Sequence, residues 1–343
     1  MNPGDEFRAQ VEQELRDILI EGGTPLDDLE RMYLYHMGFC DQNGKPVDLP
    51  RGKYLRPVLC LTMCAALGGD PAQAIPAAAS LEIGHRCTLI FDDIQDKGVE
   101  RNNRPTVWSI WGADQAINAG LALSSFARIA LHRLKQRGIP DDTVLRTWTV
   151  LEKANLELCR GQSMDISFMD GRSVGVPEYM DMIRGKTGTL FGAACEVAAI
   201  IASCDDRTVE LARDFGLNMG IAFQIHDDYL GIWGDETKVG KTANDLMEKK
   251  RTLPVMLAMK MAQRNPEVEG CTVQPGLNCA SVQPEDAIAI KAFMEGIGVP
   301  EKVREMEDEY SQVAARLPEQ LDLRFESTQF LMSLLDRVTD RRL

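Results

Sequence analysis

Apolar residues recur every three or four positions through most of the chain, as in YLRPVLCLTMCAAL (54–67) and SLEIGHRCTLIFDDI (80–94). That spacing lines one face of a helix of period 3.6. Ala, Leu and Met dominate these segments, and alternating β-branched runs bounded by hairpin turns are missing. Breaks fall at FCDQNGKPVDLPRG (39–52), RGIPDD (138–143), DGRSVGVPE (170–178) and NPEVEGCTVQPGLNCASVQPED (265–286). The stretches between them suit helices of three to seven turns. No repeat, low-complexity tract or linker divides the chain. The pattern predicts an all-α fold, a single large helical bundle over 1–343, with an irregular excursion near 265–286.

Composition narrows this further. The chain of 343 residues is 44% hydrophobic and 26% charged, an ordinary globular balance. Its net charge of −14 argues against nucleic acid as a partner. Anionic ligands would need locally placed cations or bound metal. Nine cysteines are scattered with no CxxC pair, and the four histidines lack zinc-type spacing. The odd count agrees with reduced thiols in a cytoplasmic protein. The N-terminal MNPGDEFRAQ has no apolar core of a signal peptide, and no uncharged apolar run is long enough for a transmembrane segment.

The chemistry gathers in two acidic constellations. Phe91-Asp92-Asp93-Ile94-Gln95-Asp96 ends an apolar helical stretch and puts Asp92 and Asp96 one turn apart on one face. Such a pair suits Mg²⁺ that also holds substrate phosphates; a solvated acidic helix end would read the same way. Phe223-Gln224-Ile225-His226-Asp227-Asp228-Tyr229-Leu230 repeats the arrangement later in the chain. Two such ends facing one another would form an acid-lined cleft useful only with metal. Cations accompany both: Lys53 and Arg56 in GKYLRP, Arg101 and Arg104 in a short polar turn, Lys186-Thr187, then Lys241 and Lys250. Singly each reads as a surface cation; together they describe a grip on two diphosphates.

GKYLRP, FDDIQD followed by RPTVW, CRGQSMD, IRGKTGTLF, FQIHDDYLG and GKTANDL…KRTLP stand in the order of the trans-isoprenyl diphosphate synthases, the polyprenyl synthetase family. The chain resembles that family along essentially its whole length. The resemblance implies a central active-site cavity and an Mg²⁺-dependent, homodimeric enzyme joining isopentenyl diphosphate to allylic diphosphates. By that likeness Asp92 and Asp96 hold metal with Asp93 in support, and Asp227 supplies a ligand from the second motif. Lys53, Arg56 and His85 match the isopentenyl diphosphate pocket. Arg101, Lys186, Lys241 and Lys250 match the allylic diphosphate grip. Thr187 and Gln224 match positions that stabilise the carbocation with oxygen dipoles. On spacing alone, His85 reads better as a satisfied core histidine, and only the family likeness reverses that.

Three departures stand out. Asn102 replaces a second Arg, for which Arg104 is a candidate substitute. Gly231 removes the i+4 carboxylate partner of Asp227, leaving Asp228 or Asp235 as possible helpers. Leu121 replaces an Asp and is read as a packing change. The floor that limits chain length is expected at Cys87 and Thr88, then Gly84 a turn upstream. None is aromatic, so geranylgeranyl diphosphate is the expected product, with farnesyl diphosphate or a longer chain as alternatives. A class I terpene cyclase shares the first Asp motif but lacks the isopentenyl-binding Lys and Arg. A non-catalytic partner subunit would not keep Asp92, Asp93 and Asp96 intact.

Overall fold

In the computed structural model the described residues are 3–20, 27–47, 52–168, 174–234, 246, 250–263 and 284–339. The elements among them are α1 (Pro3–Leu19), α2 (Asp28–Met37), α3 (Leu55–Ala66), α4 (Pro71–Gln95), β1 (Glu100–Arg101) and β2 (Arg104–Pro105). There follow α5 (Val107–Trp111), α6 (Ala113–His132), α7 (Asp141–Phe168), α8 (Val176–Ile183), α9 (Thr189–Ile201) and α10 (Asp206–Trp233). The last are α11 (Leu253–Gln263), α12 (Pro284–Gly296), α13 (Val299–Arg316) and α14 (Phe325–Thr339). The all-α reading holds. Among the described residues no helix is long and apolar enough to cross a membrane.

The chain forms two compact units, each drawn from three stretches. The first takes the described residues of Met1–Glu152, Ala194–Val209 and Leu323–Phe330; the second takes those of Lys153–Ala193, Glu210–Asp322 and Leu331–Leu343. Neither is a contiguous segment that could be cut from the sequence.

In the first unit α4 is the central helix, packed against α1, α3 and α6. Its start is set by Asp70, whose carboxylate accepts the Ala72 N–H at 3.0 Å, with Pro71 at the first helical position. From Ala74 to Ile83 it is buried on every side, so its apolar residues show no one-sided pattern. Beyond its C-terminal turn the chain folds into a hairpin pairing Arg101 with Arg104, which helical periodicity did not foresee. Its turn residues, Asn102 and Asn103, have φ of 52° and 57°. Asn tolerates this left-handed backbone far better than Arg, which explains the first departure.

The second unit is built around one apolar cluster including Phe168, Tyr179, Met182, Ile225, Leu253, Leu257 and Val303. Helix α8 begins inside the expected break at 170–178 because Pro177 sits in the first turn, where no N–H is needed. The Gly175 N–H is held by the Glu178 carboxylate at 3.1 Å. Between α8 and α9 the residues Arg184–Gly188 widen into a π-turn. The excursion near 265–286 lies outside the described residues up to 283, and α12 already begins at Pro284.

Candidate active site

In the first unit the last turn of α4 carries the DDIQD face. The Asp96 N–H reaches the Asp92 carbonyl at 2.8 Å, so the helical register runs to the end and the two residues stand one turn apart. Asp92 is half-buried and Asp96 exposed. Asp93 points elsewhere: it is buried, and Arg101 donates to its Oδ1 from both Nε and a terminal nitrogen at 2.8 Å. Burial pushes the Asp93 carboxyl up, and the Arg101 guanidinium opposes this. Asp93 thereby anchors the hairpin to the helix end. The Trp108 indole and the Thr106 hydroxyl add to that anchor, donating to the Gly98 carbonyl at 2.7 and 2.8 Å.

A divalent cation fits what remains. Asp92 and Asp96 offer hard oxygens on one face, and Mg²⁺ takes one or two carboxylates and completes its shell with water and phosphate. Among the described residues there is no group of three or more His, Cys, Asp or Glu side chains that would cage a metal by protein alone.

Further along the same unit lie the residues matched to isopentenyl diphosphate. Lys53 is exposed and Arg56 half-buried. Burial pushes Arg56 down to about 10, with Glu82 opposing. Burial, then the charges of Arg56 and Arg86, push His85 well below its usual value, so it is a neutral hydrogen-bonding group at pH 7. Arg86 had no assigned role. It is buried, pairs with Glu82 at 2.8 Å, and its guanidinium lies 2.8 Å from where a Cβ on Gly52 would stand. Gly52, at φ 92°, holds a backbone conformation that residues with a side chain rarely adopt. Arg104 does not replace the missing second Arg. It donates to the carbonyls of Tyr35 and Cys40 at 3.2 and 3.1 Å and stacks on the Tyr35 ring at 4.0 Å, a structural brace.

The expected floor positions differ among themselves. Cys87 is buried and its thiol donates to the Gly120 carbonyl of α6 at 3.1 Å. The Thr88 hydroxyl is satisfied by the His85 carbonyl at 2.8 Å. Gly84 is half-buried, and a Cβ there would meet nothing within 4 Å. Leu121 is 56% exposed, so it is not packed within the chain as expected.

In the second unit glycines bring three backbones together. A Cβ on Gly161 of α7 would stand 2.3 Å from the Lys186 nitrogen, and one on Gly220 of α10 would stand 2.9 Å from the Gly188 Cα. The π-turn is thus seated directly on both helices. This sets Lys186 beside Asp165 at 2.5 Å and puts the Thr187 hydroxyl 2.7 Å from Gln224 Oε1. Gln224 Nε2 donates to Asp228 Oδ1 at 2.9 Å. Asp228 is buried, while Asp227 is half-buried on the adjoining face of α10. Lys250 is exposed; Lys241 and Asp235 lie outside the described residues. Asp165 was missed because a single Asp on a helix has no spacing signature, although it ends the CRGQSMD stretch.

The fold is all-α, with the Asp92–Asp96 face and the buried Arg86–Glu82 pair in one unit and a Thr187–Gln224 pair beside a further carboxylate in the other. A profile of the polyprenyl synthetase family matches residues 43–275, and the chain belongs to that family. It is 39% identical over 235 residues to a geranylgeranyl diphosphate synthase of Mycobacterium tuberculosis, covering 68% of this chain and 66% of that relative's length. It is 35% identical over 292 residues to a geranylgeranyl pyrophosphate synthase of Geoglobus acetivorans, covering 84% and 87%. The crystal structure of a polyprenyl synthetase from Streptomyces coelicolor A3(2) superposes with a TM-score of 0.85 at 30% identity, covering 98% of each chain.

Proposed function

We propose that this protein is a trans-prenyltransferase that condenses isopentenyl diphosphate with allylic diphosphates to give geranylgeranyl diphosphate. The observation that carries the reading is the split of the first motif: Asp92 and Asp96 share one face while Asp93 turns inward to Arg101. In the reaction the allylic C–O bond breaks, with its electron pair leaving on diphosphate. The isopentenyl double bond then forms the new C–C bond, and a proton passes to the released diphosphate. By the family likeness, Asp92 and Asp96 are the residues of the first motif that would hold Mg²⁺, and Asp227 is the residue of the second motif that would do so. When bound, that ion supplies charge that weakens the leaving bond. Arg101, Lys186 and Lys250 bind the allylic diphosphate, with Lys241 assigned by likeness. Lys53, Arg56 and neutral His85 bind isopentenyl diphosphate. Thr187 and Gln224 present oxygen to the cation.

Twenty carbons are supported by the open space at Gly84 and by the names of two of the relatives. The test is purified protein with Mg²⁺, isopentenyl diphosphate and dimethylallyl, geranyl or farnesyl diphosphate in turn. A geranylgeranyl product from all three supports the reading, and no elongation from any of them sinks it. Asp92→Asn and Asp96→Asn should each cut turnover by about a hundredfold or more.

Homodimer formation is part of the same proposal. Ile117, Leu121 and Ile129 of α6 are 40%, 56% and 52% exposed along one helix, a stripe too apolar to leave in water without purpose. Light scattering should give twice the chain mass for the wild type and a single chain for Leu121→Glu. A reducing cytoplasm is supported by the seven described cysteines, all free thiols.

A further inference from the structure

Asp228 neighbours Asp227 in sequence but is only 5% exposed and is engaged from three sides. It accepts from the Tyr179 hydroxyl, from the Leu253 backbone N–H at 3.0 Å and from Gln224 Nε2 at 2.9 Å. The amide oxygen of Gln224 accepts the Thr187 hydroxyl at 2.7 Å. The order of this chain is dictated by chemistry. A carboxylate only accepts, so the end of the amide that faces it must be the NH₂, and the end that faces Thr187 must be the oxygen. Burial and the Asp228 charge push the Tyr179 phenol well above its usual value, so it remains a donor.

We propose that Asp228 is a positioning residue that sets the polarity of the Gln224 amide. It thereby commits the Thr187 hydroxyl hydrogen to Gln224 and leaves only oxygen lone pairs to face the developing allylic cation. This rests on the prenyl-transfer reading above. A flipped amide would offer its N–H to Thr187. The hydroxyl would then accept and present its own hydrogen, turning the positive end of the dipole toward the cation.

Asp228→Asn should cause that flip. The Leu253 N–H is fixed backbone and, with Tyr179, claims the Asn carbonyl, so the Asn NH₂ faces Gln224 and the amide reverses to meet it. Gln224→Glu added to this variant restores an acceptor on both sides. One Glu oxygen takes the Asn N–H and the other takes the Thr187 hydroxyl.

The experiment is steady-state turnover of the full-length wild type, D228N, Q224E and Q224E/D228N with geranyl and isopentenyl diphosphates, together with thermal midpoints. We expect D228N to lose about a hundredfold in kcat, with KM for both substrates within threefold. Q224E, with two adjoining carboxylates, should be at least as impaired. The double variant should be at least tenfold more active than either single one. A purely structural Asp228 would lower the midpoint and raise KM, and moving the carboxylate to position 224 would not restore turnover. D228N within threefold of wild-type kcat overturns the proposal, as does a double variant no better than D228N. If D228N alone does not fold, Q224E against Q224E/D228N decides on the same tenfold criterion. A wild type that does not elongate fails the functional reading and this inference with it. Wild-type elongation without rescue fails this inference alone.

Discussion

Gly161→Ala is the sharpest test of how the second unit builds its chemistry. The added methyl would stand 2.3 Å from the Lys186 nitrogen, 2.8 Å from the Met182 carbonyl oxygen and 2.9 Å from the Gly185 carbonyl carbon. All three are backbone atoms, so no side chain can swing aside. Ordinary contact begins near 3.4 Å, so α7 and the π-turn must separate by about 1 Å at this point. Overpacking of this kind costs about 1–3 kcal/mol. The larger effect is on turnover. Thr187 and Gln224 meet at 2.7 Å, and a displacement of about 1 Å carries them out of hydrogen-bond range. Misplacement on that scale costs on the order of a hundredfold in rate. The assay is kcat and KM with geranyl and isopentenyl diphosphates, alongside a melting curve. We expect kcat to fall about a hundredfold, while KM for isopentenyl diphosphate, assigned to Lys53 and Arg56, stays within threefold. Gly185→Ala is the graded control: its methyl would meet the Glu157 carbonyl at 2.9 Å, so its loss should be smaller. A Gly161→Ala protein with wild-type kcat and melting temperature would refute the reasoning.

Gly84→Phe should shorten the main product, read by mass spectrometry, because position 84 opens on free space, whereas Cys87→Phe should chiefly destabilise by about 1–3 kcal/mol because Cys87 faces α6. Unchanged product from Gly84→Phe, or shortening only from Cys87→Phe, would reverse the assignment. His36 is pushed from 6.5 to about 3 by burial and by Arg86, so it is neutral when folded and protonates first in the unfolded chain. Stability is therefore full above pH 6.5 and falls by about 1.4 kcal/mol per unit from there toward pH 3 for this residue; His36→Gln should flatten the acid limb of a melting-versus-pH series. Asn102→Arg should cost about 1–2 kcal/mol by denaturant titration because φ is 52°, and Asn102→Gly should be near neutral.

The helices were legible because burial on one face leaves a period of 3.6. The four expected breaks cover only some of their limits: the ends at Ala66 and Pro71, Ile201 and Asp206, and Gly296 and Val299 were not foreseen. The hairpin after α4 was not, because strands of two residues carry no alternation; only the Asn-Asn pair marked the turn. The α4 face was legible for a similar reason, since i, i+4 carboxylates are fixed by helix geometry alone. Arg104 shows the limit. As one cation among several beside an acidic motif it read as a ligand, yet its partners are the carbonyls of Tyr35 and Cys40, far away in sequence. The same holds for Lys186 and Asp165, and for Arg86, whose contact with Gly52 depends on tertiary packing. Residue type announces what a side chain can bind; only the fold decides what it does bind.

The two Asp pairs make that argument in one place. Adjacent residues on a helix point about 100° apart, so the two carboxylates of a DD dipeptide cannot both face the same ligand. At 92–93 the second Asp turns into the protein and is held by Arg101. At 227–228 the second Asp again turns inward, to Tyr179, Gln224 and the Leu253 N–H. In each pair the first carboxylate is half-buried and the second fixes a neighbouring element, the hairpin in one case and the Thr187–Gln224 pair in the other. Gly231 therefore costs the second motif its outer i+4 partner without touching its inner anchor. The departure that looked like a weakened metal end leaves intact the half of the motif that orders Thr187 and Gln224.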